Sequence, residues 1–216
     1  MNAMKKRLAI ILGIAIAAVG CLLAFFKSPS YRGVVLPLSE AQEQLSSRLH
    51  AHVQKLAGEI GPRSLTTSPG NLEKAASYIE EQFIQTGLPT SRQTFSVSGY
   101  LQDGLFGASH STQSTANIIA EIPGTTRASE IIVIGAHYDS VFDCPAANDN
   151  GSGVAALLEV ARALCREKFP CTVRFVAFTN EEPPFFRSDD MGSYRYALSC
   201  QEWRDNIVAI LSLEAI

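Results

Sequence analysis

The chain has 216 residues, enough for one moderate domain plus an appendage. Apolar residues make up 46%, sufficient for a sizeable core, while Gly and Pro are too few for a disordered chain. A formal charge of −3 and a pI near 5.8 leave no basic surface, so nucleic acid is excluded as a partner on electrostatic grounds.

Chain order begins with a separate object. Residues 1–7 end in Lys5, Lys6 and Arg7, and Leu8–Phe26 then runs for 19 residues without a charge. At about 1.5 Å per residue, a helix of that length crosses a hydrocarbon core of about 30 Å. A core helix would need a polar face, which this stretch lacks. A basic start and an apolar centre also fit a cleaved signal peptide, and "AVGC" (18–21) loosely resembles a lipoprotein cleavage site. The apolar run continues five residues past Cys21, however, which is long for a signal core. The expectation is an uncleaved single-pass anchor over 8–26. The basic residues would remain cytoplasmic and the domain after Lys27 would be extracytoplasmic, periplasmic or extracellular. Residues 27–40 read as a linker and 41–216 as the globular domain.

Within that domain, Ser39–Ala57 has a helical stripe of Leu45, Leu49, Val53 and Leu56, broken by "GEIGPRS". A second amphipathic helix follows "SPGN", with Leu72, Ala75, Ala76, Ile79 and Phe83 on one face. Thr94–Val97 and Asn117–Ile122 read as strands, and residues 100–115 between them as a polar, glycine-containing loop. From Ile131 the rhythm becomes strand (131–136), helix (151–164), strand (172–178), helix (191–199), strand (207–213). Ile131–Ala136 is continuously apolar, as for a strand covered on both faces. The alternation predicts an α/β fold whose mixed, mainly parallel sheet lies between helices. Four cysteines follow the apolar stretch: Cys144, Cys165, Cys171 and Cys200. Their even count permits disulfides in an oxidising compartment, and Cys165 and Cys171 bracket one turn and make a plausible pair, with free thiols the alternative.

Sites in open α/β sheets form beyond the carboxyl ends of the strands, and the polar residues here fall there. The first strand end carries His137 and Asp139, and the following loop, "CPAANDNGSG", carries Asp149. The second carries Glu181 and Glu182, and the third Glu214. A lone histidine is usually a satisfied core residue. Asp139 two positions on shares its face on an extended chain, however, and could accept the other ring N–H. Asp149 could instead cap the next helix, as Asn150 or Ser152 could, and adjacent glutamates usually mark a solvated turn. Carboxylates gathered in one crevice repel each other unless a cation compensates them. Imidazole with several carboxylates suits zinc, and shared carboxylates permit two ions about 3.5–4 Å apart.

"GAHYDS … ANDNGSGVAALLEVARAL … FVAFTNEEPPFF … MGSYRYA … LSLE" resembles the co-catalytic zinc aminopeptidases of peptidase family M28. The similarity extends to "VQKLAGEIGPR" and "SPGNLEKAASYIEEQF" upstream, hence from about residue 41 to 214. The resemblance implies the zinc-exopeptidase, phosphorylase/hydrolase-like fold, two zinc ions and a peptide or protein substrate. His137 would bind one zinc with Asp139 orienting it, Asp149 would bridge both ions, and Glu182 would bind the second. Glu214 would complete the first, and Glu181 would be the general base. Successive side chains of an extended segment point to opposite sides, which would let Glu182 reach metal while Glu181 faces water.

The family also uses a downstream histidine on the second zinc, and none follows His137 here. His50 and His52 read as surface residues of the first helix, and His110 lies in the expected loop. The expectation is therefore a domain incomplete at its C-terminus that holds the second zinc poorly. Two other readings compete: a glutaminyl-cyclase-like acyltransferase using one zinc, and a non-enzymatic scaffold of the same fold.

Overall fold

The computed structural model of the protein describes residues 13, 33, 34, 36–103 and 107–216. Apart from Gly13, the stretch 8–26 expected to cross a membrane lies outside the described residues. Among the described residues no helix is long and apolar enough to do so. The chain divides into two units, Met1–Leu38 and Ser39–Ile216, and the fold below is that of the second.

The first helix, α1 (Glu40–Val53), opens on a capping box. Gln42 N–H donates to Ser39 Oγ at 3.4 Å, and the Gln42 side chain returns a bond to the Ser39 N–H at 2.9 Å. It continues as a wider π-type segment, Gln54–Ile60. Helix α2 (Pro69–Gln85) starts on proline, whose missing N–H costs nothing at that position. Its buried face is Leu72, Ala75, Ala76, Ile79 and Phe83. Gly87 follows with φ +79°, a left-handed stop that residues with a Cβ resist.

Five strands form one sheet in the order β1-β2-β4-β3-β5: β1 (Thr90–Asp103), β2 (Gly107–Ile122), β3 (Arg127–His137), β4 (Cys171–Phe178) and β5 (Asn206–Ser212). Parallel pairing is confined to β4, β3 and β5; β1 with β2 and β2 with β4 are antiparallel. The expected mainly parallel sheet is therefore mixed in equal measure. The reason is the stretch 100–115, which is not a loop but the arms of a hairpin, paired from Thr90↔Ala120 to Asp103↔Gly107. It hides from a search for alternating apolar residues because its ladder satisfies the backbone whichever side chains it carries. Only residues 118–122 of β2 also pair with β4, so much of the hairpin extends past the ends of β4.

Helices α2 and α3 (Gly153–Leu164) cover one face of the sheet with α1 packed on α3, and α4 (Gly192–Trp203) covers the other face. Alternation along β4 feeds both cores. Val173, Phe175 and Ala177 pack with Phe83, Ile79, Leu157 and Tyr138, whereas Val176 packs with Val133, Tyr196 and Cys200. On the α4 side Arg174 reaches across the sheet, donating to Glu121 at 2.7 Å and to the Tyr196 hydroxyl at 3.0 Å. Edge strand β5 is apolar yet exposed, with Ile210 at 68%. Of the two alternatives for the cysteines the structure has free thiols: Cys144, Cys165, Cys171 and Cys200 are unpaired.

Candidate metal centre

β3 is the central parallel strand, and its neighbours place the site. Its last residue, His137, lies in register with Phe178, so the chain leaving β4 runs beside the chain leaving β3. On the other side Gly135 pairs with Ser212, and the Leu213 N–H donates to the Gly135 carbonyl at 2.8 Å, which brings Glu214 alongside. The turn 147–152 before α3 supplies Asp149. Asn150, fully buried, ties that turn to the β5 exit: its Nδ2 donates to the Leu213 carbonyl at 2.8 Å. Its Oδ1 accepts from the N–H groups of Gly153 and Ala215 at 3.1 and 3.2 Å. Gly153 is required here, because a Cβ would collide with Asn150 Oδ1 and the Leu213 carbonyl.

All six expected residues converge. His137 is 3% exposed and forms the floor, while the carboxylates stand around its open side. Its Nε2 lies 3.1 Å from Asp149 Oδ1, 3.1 Å from Glu214 Oε1 and 3.8 Å from Glu181 Oε2. Two overlapping donor groups result, His137–Asp149–Glu214 and His137–Glu181–Glu182, with the donor atoms of each within 4.8 Å of one another. Both glutamates thus bring a carboxylate oxygen within 4.8 Å of an imidazole nitrogen. Asn180 at φ +56° turns the segment, so the extended-chain rule does not govern it.

Asp139 Oδ1 lies 3.4 Å from His137 Nδ1, at the ring nitrogen where an orienting carboxylate was expected. Its two oxygens also accept the backbone N–H groups of Glu181 and Glu182, at 3.0 and 2.9 Å. The carboxylate that ends one strand therefore holds the loop that ends the next.

Charge makes the arrangement specific. Burial favours neutral His137, but Asp139 and then Glu214 and Glu181 outweigh it and push the imidazole up to about 10. Burial raises Glu181 and Glu182 above the usual carboxylate range; His137 opposes this, and the neighbouring acids reinforce it. Five carboxylates around one imidazole leave an uncompensated negative charge, which a divalent cation would neutralise. The donor set of one imidazole nitrogen and several carboxylate oxygens fits zinc.

His50 is exposed and His52 buried, and neither belongs to the two donor groups. His52 is not the surface residue expected. Its Nδ1 sits 2.6 Å from the Tyr78 hydroxyl and its Nε2 3.3 Å from Glu159. Two residues of structural weight escape sequence reasoning altogether. Asn150 reads as one of three possible caps, and Arg63 as part of a helix-breaking stretch.

Residues 117–216 match the family model described as Peptidase family M28. Among curated proteins, the chain is 36% identical over 162 residues to Uncharacterized protein YfbL of Escherichia coli (strain K12), covering 71% of this chain and 45% of that protein. It is 44% identical over 71 residues to Aminopeptidase YwaD of Bacillus subtilis (strain 168), covering 32% of this chain and 16% of that one. The chain thus spans less than half the length of these relatives. Two solved structures share the fold. An aminopeptidase from Aneurinibacillus sp. strain AM-1 aligns with TM-score 0.65 and 19% identity, over 81% of this chain and 72% of its own. A glutaminyl cyclase from Fimbriiglobus ruber aligns with TM-score 0.61 and 21% identity, over 87% and 65%.

Proposed function

Because residues 117–216 match the model of peptidase family M28, we propose that the protein is a zinc metallopeptidase, an aminopeptidase releasing N-terminal residues from peptides. The observation that carries this reading is the convergence of Asp149, Glu214 and Glu181 on the buried imidazole of His137.

His137, Asp149, Glu214 and Glu182 would hold zinc, with Asp149 shared between two ions. When bound, zinc supplies an acidified water and a polarised scissile carbonyl. The chain's own residues do the rest. Glu181, with its affinity for protons raised by burial, takes the proton of the attacking water and returns it to the leaving amine. Asp139 fixes the backbone of Glu181 and Glu182 so that base and ligand keep their relative placement. Residues 8–26 would anchor the domain to a membrane, with Lys5, Lys6 and Arg7 on the cytoplasmic side.

Release of amino acids from a panel of aminoacyl-anilides by the full chain, with and without chelator, tests the proposal. Chelator-sensitive release restored by zinc supports it, and release indifferent to chelator sinks it. The fold is shared almost equally with a glutaminyl cyclase, which favours that activity as the second reading. Cyclisation of N-terminal glutamine peptides without hydrolysis would establish it instead.

A further inference from the structure

Arg63 heads the fully buried side chains by size and is 0% exposed. A guanidinium taken out of water ordinarily sits against a carboxylate, because desolvating it alone is expensive. Among the described residues no carboxylate lies within ion-pair distance of Arg63. Its donors are spent on main-chain carbonyls: Nε on Tyr138 at 2.8 Å, Nη2 on Ala146 at 3.2 Å, and Nη1 on Leu56, Gly61 and Pro145 at 2.9, 2.9 and 2.7 Å. Its backbone joins the clamp. The Arg63 N–H donates to Ser140 Oγ at 2.8 Å, and the Ser140 N–H donates to the Arg63 carbonyl at 2.9 Å.

These acceptors bear on the metal centre. Tyr138 separates His137 from Asp139. Pro145 and Ala146 lead directly into the turn that carries Asp149, and the Ala146 carbonyl also accepts the Gly151 N–H at 3.0 Å. A planar fork with fixed donor directions therefore spans the two segments that supply the imidazole and the carboxylate beside it.

We propose that Arg63 is a positioning residue of the metal site: it locks the His137–Asp139 strand end and the Asp149 turn at the separation that lets both reach one ion. The inference rests on the zinc reading above. Lysine would keep the charge, but its three donors radiate from one point and cannot serve carbonyls on all these segments. Electrostatics agree. Burial draws Arg63 down to about 10, with Asp139 acting against it, so the group stays charged at neutral pH beneath the carboxylates.

The full chain is compared with R63K and S140A by amide hydrogen exchange of the zinc-free proteins and by calorimetric zinc titration. In R63K the Ser140 and Gly151 amides should exchange about a hundred-fold faster relative to β4 amides such as Phe175, as several bonds are lost together. Zinc affinity should fall by about ten- to a hundred-fold. S140A deletes a single acceptor atom and is the milder variant should R63K not fold. It should speed the same amides by about three- to ten-fold. A uniform acceleration of all amides, with zinc affinity unchanged in the folded protein, overturns the proposal. If the unmutated chain takes up no zinc, the metal reading falls, and the local amide pattern alone decides whether Arg63 couples the two segments.

Discussion

Replacing Asp139 with asparagine isolates the link between the two strand ends. Asp139 is 3% exposed, and its oxygens accept from Glu181 and Glu182 N–H at 3.0 and 2.9 Å. Asparagine has the same size but only one acceptor oxygen, so its NH₂ must face one of those N–H groups, donor against donor. One bond to a charged group is lost, a term of about 1.5–3 kcal/mol. At about 1.4 kcal/mol per factor of ten, zinc affinity and turnover of Asp139→Asn should both fall by about ten- to a hundred-and-fifty-fold. Zinc calorimetry and initial rates on a preferred aminoacyl-anilide measure this, with a melting curve to confirm folding. A folded Asp139→Asn that binds zinc as tightly as the unmutated chain and turns over within about three-fold of it would refute the coupling, since even a weak net bond of about 0.6 kcal/mol accounts for that much.

Glu181→Gln removes the proposed base and leaves the proposed ligands His137, Asp149, Glu182 and Glu214; turnover should drop by about 10²–10⁴-fold with zinc stoichiometry unchanged, checked by elemental analysis beside the rate assay. Glu159 offers a test away from the site, since it is 4% exposed and accepts from Arg162, Arg48 and His52. Burial raises its pKa, but those partners outweigh burial and hold it at about 2 against the usual 4.5. A depressed carboxylate stabilises the fold above its unfolded pKa and loses that contribution as pH falls toward the folded value. At about 1.4 kcal/mol per pH unit, Glu159→Gln should be about 3 kcal/mol less stable to urea at neutral pH, and the gap should close between about pH 4.5 and 2. Phe175→Ala, in the centre of β4 with its ring 6.4 Å from that of Phe83, should lose about 3–5 kcal/mol of unfolding free energy in the same assay.

How much of this was legible beforehand depends on whether a feature is carried by residue type or by long-range pairing. The helical stripes at Leu72–Phe83 and Val154–Ala161 are periodic, and both are buried as the period requires. The expected strands 131–136 and 172–178 lie within β3 and β4. The hairpin arms over 100–115 were not legible, since a ribbon that extends past the sheet carries no one-sided apolar pattern. The site divides in the same way. His137, Asp149, Glu181, Glu182 and Glu214 announce themselves by being acids or imidazole at the ends of apolar strands. The turn at Asn180, just before the two glutamates, depends on a left-handed backbone that asparagine tolerates but does not impose.

The supports of the centre are the part a sequence hides most completely, for a physical reason. Asp139 reaches residues 42 and 43 positions away, Asn150 residues 63 and 65 away, and Arg63 residues 75 to 83 away. Except at Ser140, each of these bonds ends on a backbone group, so the partner's side chain imposes no complementary residue type that could be noticed. A buried polar side chain with main-chain partners looks, in sequence, like any loop residue. Its burial is nonetheless a demand: unpaired, each such group would destabilise the fold by about 1–3 kcal/mol, more if charged. The five carboxylates repel one another and push the loops apart, while the buried bonds of Asp139, Asn150 and Arg63 are best satisfied only when the loops stay together. Such supports fix where the acidic side chains stand, and a ligand set oriented in that way binds an ion more tightly than acids merely gathered together.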